Sequence, residues 1–211
     1  MKLYLKGDYT KEIPFDYLEL ANRMWFENYQ GESIPLSYSG FLQIRDRNDI
    51  AIHLKLDKQD YDERWLHIPI QEGIKYRFYS QIDEYLNLDY EDAYVTDFRE
   101  NGDCLRLAST HLELLTLDKR AFYIMAIEIA TIFNGQISED DKKTWITIEE
   151  FKEKHQDILS LTFDKANEMS LEEIQTIDAI DDPIWEELDR KREEYIKIHG
   201  ERVYDDDEDD F

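Results

Sequence analysis

The feature that most constrains the fold is a stretch past the middle of the chain that is apolar on almost every side. Phe122, Met125 and Ile129 recur at helical spacing. Ala126, Ile132 and Phe133 continue this spacing, and Ala121, Ile124 and Ile127 fill much of the remaining circumference. A helix of this kind is buried inside a protein, not laid on its surface. The sequence therefore predicts a central buried helix over 119–133, with Asp118 as its N-cap.

Local signals also predict the segments that come after this helix. Asn134-Gly135 is typical of a left-handed helix stop. A short extended piece over 136–138 and an acidic loop over 139–141 come next. Thr147 and Glu150 then have the spacing of a capping box, which predicts a helix over 148–156.

The first half of the chain shows the alternating patterns of strands. A strand is predicted over 1–6 and a helix over 17–29, followed by a loop over 32–40. The remaining predicted strands are 41–45, 50–56, 65–70, 94–99 and 104–108. The segment 74–88 is open between strand and helix, and the spacing of Phe78, Ile82 and Tyr85 favours a helix in its second half. Asn101-Gly102 predicts a hairpin between the last two strands.

These elements predict an α+β fold. An antiparallel sheet from about residues 40–110 is packed by the central helix 119–133, and a C-terminal helical arm follows. Ser170 and Glu173 have the spacing of a second capping box, and Asp182-Pro183 predicts a restart of the arm. Residues 1–200 are predicted to form one domain, and 201–211 an acidic disordered tail.

The charge balance excludes several classes of partner. The chain has 25 Lys and Arg against 50 Asp and Glu, a net charge of −25. Residues 136–211 hold 26 acidic and 10 basic residues, so the acidity is concentrated towards the C-terminus. Such a surface repels nucleic acid and anionic membranes and attracts basic proteins. We expect no nucleic-acid partner and no membrane partner, although charge that serves only solubility is an equally weighted interpretation.

The sequence contains few of the residue patterns that are typical of a catalytic or metal site. Cys104 falls in a predicted strand, where a small buried apolar role is the default. The five histidines never pair at three or four residues' separation, and no phosphate-binding glycine loop is present. Glu128, on the apolar helix, is interpreted as an exposed or hydrogen-bonded structural residue. We predict no catalytic, cofactor-binding or metal-binding residue, no cofactor, and no enzymatic activity.

Acidic residues beside tyrosines suit a basic protein partner instead. Tyrosine is favoured at interfaces because it gives rigid contact area at small entropic cost. The hypothesised partner-binding residues fall in three groups: Asp89, Tyr90, Glu91 and Asp92; Glu139, Asp140 and Asp141; and Asp205, Asp206 and Asp207. The single cysteine and the lack of an apolar leader at the N-terminus favour the cytoplasm.

One segment resembles a known family. The run IEIATIFNGQISEDDKKTWITIEEF, part of the stretch 121–151, resembles a motif of bacterial immunity proteins from polymorphic-toxin systems. In those proteins an apolar helix ends at a glycine, and a short strand, an acidic turn and an aromatic residue precede a new helix. The resemblance implies a cytosolic, non-enzymatic protein that binds and neutralises a cognate toxin. It supplies no catalytic residue.

Two other functions stay open from the sequence. The first is a DNA mimic that inhibits a nuclease, of the anti-restriction or anti-CRISPR type. The second is an enzyme with a carboxylate pair that the sequence does not locate. A toxin gene directly upstream would favour the immunity protein, and a phage early region would favour the mimic.

Overall fold

The computed structural model describes residues 1–26, 35–41, 51–68, 82–91, 104–111, 113–175, 190, 193–194 and 196–198. The chain divides into two compact units, Met1–Ile177 and Asp178–Phe211. In the second unit, the described residues are helical. Within the described ranges, no helix has the length and apolar character required to cross a bilayer.

An antiparallel sheet forms one layer of the first unit. Its strands are β1 (Lys2–Lys6), β2 (Leu36–Phe41), β3 (Ala51–Leu56), β4 (Leu86–Glu91), β5 (Cys104–Ser109) and β6 (Gln136–Ser138). The order across the sheet is β2-β3-β4-β5-β1-β6. Alternation places Leu3, Leu54 and Leu107 on the face that carries the core, and Lys2, His53 and Arg106 on the other. The predicted α+β class is confirmed.

The predicted central helix is present as α3 (Thr116–Ile132) and supplies much of the core. Ile129 has no solvent exposure, as a helix apolar on most sides requires. Its predicted N-cap is wrong, because the N-cap position is Leu115 and Asp118 lies in the first turn. The helix stop is confirmed at Asn134, which has a left-handed φ of 49°. The extended piece that follows pairs with β1 as β6.

The other helices lie along the core side or at the ends of the sheet. They are α1 (Tyr17–Trp25), α2 (Lys58–Tyr61), a 3-10 helix (Glu63–His67), α4 (Ile148–Lys154), α5 (Gln156–Leu159) and α6 (Phe163–Glu173). The capping box of Thr147 and Glu150 is confirmed at the start of α4. Helix α1 ends at Trp25, whereas the sequence predicted a helix to residue 29.

Three predictions from local patterns are wrong in the described ranges. Residues 36–40, predicted as loop, belong to β2 and pair with β3. Residues 65–67, predicted as strand, lie in the 3-10 helix, because the preceding Asp62 caps it by accepting from the Arg64 amide. Residues 86–88, for which a helix was favoured, form strand β4, since both neighbouring strands supply backbone partners.

The second capping box is also wrong. Ser170 and Glu173 lie inside α6 and use their side chains to cap a different helix. The Leu117 amide donates to Ser170 Oγ at 2.8 Å, and the Thr116 amide donates to Glu173 Oε2 at 2.8 Å. These bonds satisfy two of the free N–H groups at the start of α3, where Leu115 offers no side-chain cap.

Backbone contact fixes the junction between α3 and the sheet. A Cβ built on Gly135 would lie 2.4 Å from the Lys6 carbonyl oxygen, so glycine is required for this approach. The predicted strand 94–99, the Asn101-Gly102 turn, the Asp182-Pro183 restart and the tail over 201–211 lie outside the described residues.

Candidate functional site

A cleft lies between the 3-10 helix and α6. Its volume is about 430 Å³, within the range of small-ligand pockets. The lining residues are Arg64, His67, Ile68, Glu168, Leu171, Glu172 and Gln175. One wall therefore comes from residues 64–68 and the other from one face of α6.

Apolar packing holds the two walls together. Trp65 and Leu171 belong to a small buried cluster that also includes Leu115. Trp65 Nε1 donates to Asn167 Oδ1 at 2.9 Å, and Asn167 Nδ2 donates to Asp62 Oδ2 at 2.8 Å. Because Trp65 and Asn167 are buried and hydrogen-bonded, the cleft is formed in advance of any ligand.

The electrostatics of the cleft are dominated by carboxylates. Arg64 lies 2.6 Å from both Asp62 Oδ2 and Glu168 Oε1. The Arg64 guanidinium holds the pKa of Asp62 at about 2 and lowers the pKa of Glu168, so both are charged at neutral pH. Glu172 is exposed and makes no ion pair with a described base. The carboxylates of Asp62 and Glu168 thus both contact the Arg64 guanidinium, and the carboxylate of Glu172 contacts no described base.

Two exposed apolar side chains lie on the 3-10 helix and on α2, the helix before it. Leu66 is 61% exposed and Tyr61 is 38% exposed. The Tyr61 ring packs edge-on against Phe163, with centroids 4.4 Å apart, and its hydroxyl donates to Asp164 at 3.3 Å. A rigid aromatic ring beside an exposed leucine is typical of a protein contact surface.

The predicted acidic loop, Glu139 to Asp141, is largely engaged in its own structure. Glu139 lies 2.5 Å from Lys154 Nζ and 2.8 Å from His155 Nε2. Asp140 accepts from the Thr144 side chain and amide, and these bonds lower its pKa to about 2. Asp141 has a left-handed φ of 55° and is exposed. Of the three, only Asp141 is available to a partner without loss of an internal bond.

The other predicted partner-binding residues lie elsewhere. Asp89 is on β4 and lies 3.3 Å from Arg106. Strands β5 and β1 separate β4 from β6, so the Asp89 group and the acidic loop are about 14 Å apart across the sheet. Only the backbone is described for Tyr90 and Glu91, and Asp92 and Asp205–Asp207 lie outside the described residues. The described acids therefore do not form one surface.

Glu128, singled out on the central helix, is bonded to α1. Arg23 Nη1 donates to Glu128 Oε2 at 2.8 Å, and the Glu128 side chain is 29% exposed. The geometry agrees with the structural interpretation. Cys104 is buried at the start of β5, as the sequence predicted for a strand position.

Sequence reasoning missed a buried cluster of ionisable groups. Lys58 Nζ lies 2.9 Å from Asp118 Oδ2 and donates to the Ile82 carbonyl, and neither charged side chain is more than 1% exposed. Nearby, the buried Glu84 contacts His111 Nδ1 at 2.6 Å. Burial raises the pKa of Asp118 to about 6, although Lys58 opposes the shift. These groups join α2, α3 and two loops from inside, where a protein partner has no access.

Metal binding finds no support in the described part of the chain, where no group of three His, Cys, Asp or Glu residues could hold an ion. No protein-family model matches the sequence, and no curated protein or solved structure is significantly similar to it. Function must therefore be argued from the surface itself.

Proposed function

We propose that this protein is a non-enzymatic inhibitor that binds a basic protein toxin, in the manner of a bacterial immunity protein. The observation that carries the proposal is how the charges are distributed on the described surface. Arg23, Lys55, Lys58, Arg64, Arg106 and Lys154 each lie in an ion pair with a carboxylate. These six bases are engaged internally, while several exposed acids are not.

Two further cations near the acidic loop lie over aromatic rings. Lys6 Nζ lies 4.5 Å from the centroid of the Trp145 ring, and Lys142 Nζ lies 4.6 Å from that of Tyr4. By contrast, a set of exposed carboxylates makes no ion pair with a described base: Asp60, Glu63, Asp141, Glu149, Glu153, Asp157 and Glu172. Such a surface attracts a cationic protein over long range and speeds its association.

Rigid elements carry these carboxylates. Glu149 and Glu153 are four residues apart on α4, so they share one helix face. The capping box and the fully buried Phe151 fix that helix against the core. Because the backbone that carries these charges is ordered before binding, association needs no ordering of the helix itself.

The test has two parts: whether the protein protects cells from a basic toxin, should one be encoded beside its gene, and the kinetics of binding between the purified proteins at two salt concentrations. We expect the protein to rescue growth and to bind with an association rate that falls steeply with salt. A chain that neither protects nor binds contradicts the proposal. Two matched triple variants, D141N/E149Q/E153Q and D60N/E63Q/E172Q, each remove three exposed negative charges. Equal changes in the association rate indicate general electrostatic steering, whereas faster dissociation of only one variant indicates local contact.

A further inference from the structure

We propose that the cleft between the 3-10 helix and α6 receives an arginine or lysine side chain of the basic partner. This inference rests on the proposed function and assigns the contact face. The cleft is a preformed concavity with an apolar floor and an acidic rim, and a long cationic side chain has the same two-part character.

The apolar part of the cleft suits the methylene stem of such a side chain. Ile68 and Leu171 line it, and Leu171 packs on the buried Trp65 beneath. Lysine and arginine bury their stems along apolar surface while the charged head stays near polar groups. A small acidic side chain or a flat apolar one would leave either the floor or the rim without a partner.

The acidic rim suits the charged head. The single positive charge of Arg64 is outweighed by two negative charges, because its guanidinium donates to both Asp62 and Glu168. Glu172 lies four residues after Glu168 on the same face of α6, and it is exposed. With Asp62 next to the lining, these carboxylates outnumber the one guanidinium, and a cation on the guest would balance the excess negative charge.

The surroundings of the cleft can exclude water from such a contact. Leu66 is exposed on the 3-10 helix that supplies one wall. Apolar surface next to a charged contact limits the access of water to it, and in such surroundings a single arginine can become a dominant binding residue. The remaining exposed acids nearby, Asp60 and Glu63, orient a basic partner towards this face.

The first experiment uses the full chain in solution and monitors its backbone amides by NMR. The probe is the blocked peptide Ac-Gly-Arg-Gly-NH2, and its control replaces arginine with citrulline, which has the same shape without the charge. We expect saturable shifts at residues 64–68 and 168–175 with the arginine peptide, and shifts at least about fivefold smaller with citrulline. Shifts spread evenly over all exposed acids, or equal shifts with both peptides, overturn the proposal.

The second experiment measures toxin binding by the E172Q variant and by E153Q, a matched exposed glutamate on α4. We expect E172Q to dissociate at least about fivefold faster, and E153Q to change mainly the association rate. Wild-type binding with equal dissociation for both variants overturns the cleft assignment and leaves the inhibitor function standing. If the wild-type chain does not bind the toxin, the proposed function fails, while the peptide experiment still decides what the cleft accepts.

Discussion

At the scale of single residues, the buried ion pair of Lys58 and Asp118 has a large effect on the free energy of unfolding. Each charge lost its water on burial, and the pairing compensates that cost only while both partners are present. Asp118 has neither oxygen in hydrogen-bonding geometry, so the lysine contact acts mainly through charge. Removal of the lysine leaves a buried carboxylate without its cation.

We predict that K58M lowers the free energy of unfolding at pH 7.5 by about 3–5 kcal/mol. The pKa of Asp118 in the folded protein, about 6, lies above its ordinary value of 3.8, so the folded state takes up the proton first as the pH falls. Its contribution to stability therefore rises as the pH decreases through this window. Without Lys58 the pKa of Asp118 rises further, so the variant gains more stability from protonation than the wild type does. The loss of unfolding free energy caused by K58M should therefore be smaller at pH 5 than at pH 7.5.

Urea unfolding at both pH values measures this effect, with K152M as the control. Lys152 is exposed on α4, so its replacement should change stability by less than about 0.5 kcal/mol. An equal K58M deficit at pH 7.5 and pH 5 would show that the cost does not come from the charge of Asp118.

At the scale of elements, α3 holds the core together through its side chains. Ile129 has no exposure and lies in the main apolar cluster. We predict that I129A lowers the free energy of unfolding by about 2–5 kcal/mol, since the neighbours cannot fully close the cavity. Denaturant melts measure the loss, and T131A, at an exposed position of the same helix, is the control. A loss below about 0.5 kcal/mol for I129A would mean that the helix is peripheral.

The start of α3 depends on a second helix. Ser170 is fully buried and accepts from the Leu117 amide, so S170A leaves that amide unsatisfied away from water. We predict a loss of about 1–2 kcal/mol and faster hydrogen exchange at Leu117. S160A, at an exposed serine, should change neither. Unchanged exchange at Leu117 in S170A would show that another group caps the helix.

Elements defined by local signals could be predicted from the sequence. The apolar circumference of α3, the stop at Asn134 and the capping box of Thr147 each act within a few residues. Strand β4 could not, because its backbone partners lie on β3 and β5 and its apolar spacing also fitted a helix. Ser170 and Glu173 show the same limit: their spacing is that of a cap, but the helix they cap begins more than fifty residues earlier.

The candidate site could not be predicted from the sequence for a related reason. Arg64 and Glu168 are about one hundred residues apart, and only the fold joins them. The predicted acids instead stood out because they are adjacent in sequence, yet most described members bond to their own neighbours. Composition identified the excess of negative charge, but it could not say which carboxylates stay exposed.

At the scale of the whole molecule, truncation of the acidic tail tests whether charge contributes to the choice of partner. Residues 205–210 are six consecutive acids. We predict that removal of 204–211 leaves the free energy of unfolding within about 0.5 kcal/mol of wild type. It should lower the association rate with the toxin and flatten its salt dependence, with dissociation nearly unchanged. Faster dissociation of the truncated chain would instead show that the tail docks, and identical kinetics would leave it a solubility device.

The place of β1 in the sheet has a consequence for how the chain is made. This strand is synthesised before both of its neighbours in the sheet, β5 and β6, which begin at Cys104 and Gln136. At roughly 5–20 residues per second, a ribosome needs about 5–20 s after β1 to reach β5. Throughout that time Leu3 and Leu5 have no native strand partner on the nascent chain, and Lys2 and Lys6 stand on either side of them. Charged flanking residues discourage premature pairing between nascent chains, so we expect these two lysines to disfavour such pairing until the neighbouring strands emerge.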